Sequence, residues 1–71
     1  MGLKWANIQD IGIELFEKYP AIDPLTVRFT DLRDKIEGLE EWDDDIHTCN
    51  ESKLEAVQMA WLEEYRDSQD G

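Results

Sequence analysis

Apolar residues recur at intervals of three and four in three stretches of the chain, and each stretch is bounded by residues that start or stop helices. In the first, Ile8, Ile11, Leu15, Phe16 and Tyr19 share one helical face between Asn7 and Tyr19. Asn7 is placed to cap its N-terminus, and Pro20 ends it, because proline lacks the amide donor and disfavours helix in the preceding residue. Gly12 weakens that helix by about 1 kcal/mol relative to alanine, which marks a point where a neighbouring element comes close. Residues 19–29 read as a structured turn: Pro20 and Pro24 fix two φ angles, and Asp23-Pro24 predicts a capped single helical turn. Val27-Arg28-Phe29 follows as a short extended piece. Thr30 is expected to cap a second helix, Asp31 to Glu40, with Leu32, Ile36 and Leu39 inward and Asp31 at the positive end of the dipole. Glu41 to Cys49 is the connecting loop, and Asn50 caps a third and longest helix that runs to Tyr65. That helix turns Leu54, Val57 and Trp61 inward, with Leu62 or Tyr65 beside them.

Three helices meeting at angles with a tight central turn define a mainly α fold class: one helical domain over residues 1–66 and a frayed polar tail over 67–71. At 71 residues the chain buries only about 60% of its unfolded surface, so no elaborate enclosed active site fits inside it. Three Trp, two Tyr and two Phe are too many large apolar groups for a chain that stays disordered. Trp61 and Trp5 are assigned to the core, while Trp42 is open between core and recognition anchor.

Charge narrows the partners. Seven basic against 18 acidic residues leave a net charge of −11, which repels nucleic-acid backbones and anionic lipid surfaces. Such a surface attracts cations or a basic patch on another protein, through steering that fades as salt rises. No segment has the apolar run of a signal peptide or a membrane span, and Gly2 is followed by Ala6 where N-myristoylation wants Ser or Thr. Cys49 has no second cysteine to pair with, which favours a cytoplasmic setting.

Little in the chain reads as catalytic machinery. His47 and Cys49 could form a dyad, but neither an orienting third group nor an oxyanion hole is indicated, and the expectation is a protein that is not an enzyme. A calcium loop started at Asp43 fails, since Thr48 stands where Gly is needed and Leu54 where Glu is needed. Clustered carboxylates remain. Asp10, Glu14 and Glu17 lie at i, i+4 and i+7 of the first helix; Asp31, Asp34 and Glu37 at i, i+3 and i+6 of the second; and Asp43, Asp44 and Asp45 in the loop. Each group could be a solvated face. The first-helix stripe and the loop aspartates could instead supply hard oxygen ligands for Mg²⁺, Mn²⁺ or iron, in sites that would be weak and open, while the second-helix trio is a candidate face for a partner.

Gly2-Leu3-Lys4-Trp5, Tyr19-Pro20 with Asp23-Pro24, Val27-Arg28-Phe29-Thr30-Asp31-Leu32, Asp43-Asp44-Asp45, Asn50-Glu51 with Leu54-Glu55-Ala56, and Trp61-Leu62 together resemble the IscX family, small acidic proteins of bacterial iron-sulfur cluster assembly. The likeness spans residues 2–64, with Ala6 where Thr is expected after the tryptophan and Ile46 where Pro is expected after the aspartates. The resemblance implies a compact fold akin to a winged helix, weak iron binding through surface carboxylates, and docking on a basic patch of cysteine desulfurase. That patch is one that a frataxin-type protein and ferredoxin also approach. The resulting expectation is a monomeric adaptor and regulator of cysteine desulfurase. On the spacing of the acidic groups, iron is expected to be ligated from Asp10, Glu14, Glu17, Asp43, Asp44 and Asp45, and the partner to be met by Asp10, Glu14, Glu17, Asp31, Asp34 and Glu37. The alternative is an acidic protein-interaction module without iron chemistry.

Overall fold

The computed structural model describes residues 2–48 and 50–70, and its elements in chain order are helix α1 (Ile8–Lys18), a 3-10 turn (Pro24–Thr26), helix α2 (Phe29–Glu37), a second 3-10 turn (Ile46–Thr48) and helix α3 (Glu51–Asp70). Mainly α is therefore the class, as the periodicity predicts. Of β pairing, the described residues carry one isolated parallel bridge, Leu3 to Trp42, and no strand; no hairpin wing accompanies the three helices. The radius of gyration, 11.1 Å, equals the roughly 11 Å of a close-packed chain of this length.

Helix α1 packs along α3, and its inward residues Ile11 and Leu15 are fully buried. Gly12 makes that packing possible. A Cβ placed there would lie 2.8 Å from the backbone carbon and Cβ of Ala60 and from the Trp61 nitrogen, so the two helices touch backbone to backbone at this point. The same approach brings Trp61, wholly buried, into the centre, with its ring 6.4 Å from that of Tyr19. Leu32 and Ile36 of α2, and Leu54 and Val57 of α3, close the core. Trp5 belongs to it as expected, at 6% exposed; Trp42 packs edge-on against Trp5 with ring centroids 4.9 Å apart, half-buried at the core margin.

Two helix starts are capped as expected, and several other helix ends differ from expectation. Asp23 caps the first 3-10 turn, its carboxylate accepting the Leu25 amide at 3.0 Å, and Asn50 caps α3, accepting the Lys53 amide at 2.8 Å. Asn7 occupies the cap position of α1, but its side chain turns backward and accepts the Lys4 amide at 3.1 Å, so it shapes the approach to the helix rather than capping it. Thr30 does not cap α2. The helix begins two residues earlier than expected, at Phe29 rather than Asp31, with extended Arg28 preceding it and the Arg28 carbonyl accepting the Leu32 amide; Phe29 packs against the core. At the other end α2 stops at Glu37 rather than Glu40, and the chain turns through Gly38 and Leu39, whose side chain stays buried. Helix α3 continues past Tyr65 to Asp70, so residues 67–70 are helical where a frayed tail was expected. Twenty residues make a rod of about 30 Å, long enough to run beyond the elements packed on it.

Candidate functional site

The turn after α2 carries Leu39 inward and Glu40 and Glu41 outward, against the last turns of α1. Between them lies a surface groove of about 390 Å³ lined by Glu14, Glu17, Lys18, Leu39, Glu40 and Glu41. The one cation in that lining is drawn aside: Lys18 Nζ donates to the Gly38 carbonyl at 2.9 Å, at the C-terminal end of α2, where a positive charge is favoured. A second hollow, of about 430 Å³, shares the Glu40–Glu41 wall and adds Gly2, Trp42 and Asp43. Five carboxylates from two separate parts of the chain thus border one continuous surface.

The expected site residues divide accordingly. Glu14 and Glu17 line the groove and Asp43 the adjoining hollow; Asp10, in the first turn of α1, lines neither. Asp31, Asp34 and Glu37 are exposed along α2 and line neither hollow. Glu40 and Glu41 are the residues that sequence reasoning missed, because they fall at the boundary between an expected helix and an expected loop. The signal available was Gly38, a helix-stop residue directly followed by one apolar anchor and two glutamates.

Asp44 and Asp45 serve the backbone. Asp44 Oδ2 accepts the Trp5 amide at 3.1 Å and Oδ1 the Asp45 amide at 2.8 Å; these two donors, Trp5 foremost, hold the Asp44 carboxyl below the ordinary aspartate range despite its exposure. The Asp45 carboxylate accepts the His47 amide at 2.9 Å, and its carbonyl accepts the Thr48 hydroxyl and the Trp5 indole N–H. Lys53 Nζ lies 5.7 Å from the Trp5 ring centre and completes the cover over that indole. His47 is exposed, and Cys49, with which it could have formed a dyad, lies outside the described residues. Among the described residues no three His, Cys, Asp or Glu side chains converge as a preformed metal site, and no helix is long and apolar enough to cross a membrane.

Chemically, this surface offers oxygen acceptors on an open, electronegative face. Comparison with known proteins bears on the same region. Residues 3–66 match the family model described as iron-sulphur cluster assembly, a span that includes every residue of the groove. An uncharacterized protein of Pseudomonas aeruginosa is 45% identical over 64 residues, covering 90% of this chain and 97% of that protein. The order of tryptophans, prolines and acidic runs and the family match agree over nearly the same residues, and the chain belongs to the IscX family of iron-sulphur cluster assembly proteins.

Proposed function

We propose that this protein is an adaptor and regulator of cysteine desulfurase in iron-sulfur cluster assembly, without catalysis of its own, working through the acidic surface centred on Glu14, Glu17, Glu40 and Glu41. The observation that carries this reading is the groove itself, in which four carboxylates flank a mostly buried Leu39 while the lone lysine is tied back to a carbonyl. A basic side chain of a partner entering there meets acceptors on both walls and an apolar floor for its methylenes. Asp10 extends the acidic stripe along α1, and Asp31, Asp34 and Glu37 add negative potential that steers the same partner from further away. Iron binds weakly to these carboxylates, with Asp43 beside Glu40 and Glu41 and the loop aspartates Asp44 and Asp45 adding charge nearby.

The test is association kinetics with purified cysteine desulfurase across a salt series. Glu14→Lys with Glu41→Lys should slow association by about tenfold or more and flatten its salt dependence, whereas Glu63→Lys, far along α3, should act weakly. Unchanged rates in the double variant would remove this face as the interface. The second reading, an acidic interaction module without iron chemistry, is favoured by the lack of a converging ligand set among the described residues. Ferrous iron added under anaerobic conditions separates the two: iron binding broadens amide signals of residues 14–17 and 40–43, and broadening without residue preference supports the second.

A further inference from the structure

We infer that Asp44 is a positioning residue, which ties the Gly2–Trp5 segment to the 40–45 loop and so holds Glu40, Glu41 and Asp43 in place on the acidic surface. The consequence at the partner rests on the adaptor reading above; the tether itself rests on geometry. Both Asp44 oxygens are engaged by backbone donors, one of them, Trp5, 39 residues away. Two ladder bonds flank it: Leu3 N–H to the Glu41 carbonyl, and Asp43 N–H to the Leu3 carbonyl at 2.8 Å. Leu3 is thus bonded to the peptide units of two of the residues that border the acidic surface. The Trp5 indole adds a fourth bond, to the Asp45 carbonyl at 3.1 Å, and Trp5 is nearly buried against Trp42.

The physical need is plain from the charges. Glu40, Glu41, Asp43, Asp44 and Asp45 repel one another within six residues, and a loop of that composition left untethered spreads. Tying it to a segment anchored in the core orders its carboxylates before a partner arrives, which reduces the entropy lost on binding and therefore acts on the lifetime of the complex. Long-range attraction depends on net charge and is indifferent to the tether.

A pair of charge-conserving substitutions separates the two roles. Asp44→Glu keeps the charge and displaces the carboxylate by one methylene from both donors; Asp43→Glu makes the same change beside it, on a residue whose own amide, not carboxylate, forms the ladder bond. Well below the melting temperature, Asp44→Glu should speed hydrogen exchange at the Leu3, Trp5 and Asp43 amides about tenfold and leave the inner amides of α1 and α3 unchanged. The complex with cysteine desulfurase should dissociate about five- to tenfold faster, at an unchanged association rate and salt slope. Asp43→Glu should leave the exchange rates as they are. Unaltered exchange in Asp44→Glu overturns the inference, as does faster exchange with an unaltered dissociation rate. If the unsubstituted protein does not bind the desulfurase, the adaptor reading falls instead, and the exchange rates alone decide the tether.

Discussion

Two glycines in helical surroundings have opposite tolerances, and the distances around them say why. A methyl group added at Gly12 would meet backbone atoms of Ala60 and Trp61 at 2.8 Å, whereas at Gly38 the nearest atom to such a methyl is the Asp34 carbonyl oxygen at 3.4 Å, with φ at −78°. Gly12→Ala gains helix propensity of about 1 kcal/mol but forces two packed helices apart, and overpacking of a closed core costs about 1–3 kcal/mol. Backbone cannot rotate aside as a side chain can, so the upper part of that range applies and the net loss is about 1–2 kcal/mol, a fall of roughly 4–16 °C in Tm. Gly38→Ala should leave Tm level or raise it, through the reduced entropy of the unfolded chain. Asp44 gives a second residue-scale expectation. Its carboxyl is held low by the Trp5 and Asp45 amides, so its contribution is complete above the unfolded aspartate value and is lost as pH falls through the lower folded value. The Trp5 amide signal should therefore report a protonation midpoint below 3.8, and a midpoint above it would show that the carboxylate is not engaged as described.

At the scale of elements, helix boundaries are decided by which way a side chain can turn. Asn50 and Asn7 stand one residue before their helices, yet Asn50 accepts the Lys53 amide and Asn7 accepts the Lys4 amide. Asn50→Ala should destabilise the protein by about 1 kcal/mol, the usual cost of losing an N-cap. Asn7→Ala removes no bond from inside α1, and its effect belongs to the 4–7 turn; amide exchange in the first turn of α1 should stay near that of the parent, while the first turn of α3 should open in Asn50→Ala. Equal effects on both helix starts would contradict this assignment. Element ends also control the site: because α2 stops at Glu37, the following turn swings Glu40 and Glu41 toward α1, and a helix continued to Glu40 would have kept them on its own cylinder.

For the whole molecule, the dominant quantity is a net charge of −11 on 71 residues. Like charges at this density oppose compaction, and the opposition is screened once the Debye length drops from about 30 Å at 10 mM salt to about 8 Å at 150 mM. Tm should accordingly rise by several degrees over that interval of sodium chloride, in contrast to the affinity for a basic partner, which should fall. A Tm that declines with salt would mean that attractive pairs outweigh the repulsion. The same charge explains how an acidic surface persists in so small a fold: the core is built from apolar side chains with no buried charged residue among those described, leaving the carboxylates at the surface.

Apolar periodicity was sufficient for three helices, their inward faces and the placement of Trp61, and cap and proline chemistry for the turn at Asp23-Pro24, because each follows from contacts between residues a few positions apart or from burial of one face. Gly12 was legible as a close approach, though not which residues approached. Tertiary structure alone decided the rest. Glu14 and Glu17 share a groove with Glu40 and Glu41 because α2 ends early and Leu39 is pulled into the core, an outcome of packing that no local pattern encodes. Asp43, Asp44 and Asp45, identical in composition and adjacent in sequence, take different tasks because Leu3 and Trp5 pair with this loop from nearly forty positions away. Charge could be counted along the chain, but which carboxylates stay open and which are bound by backbone donors depends on contacts between distant segments, and those form only when the core closes.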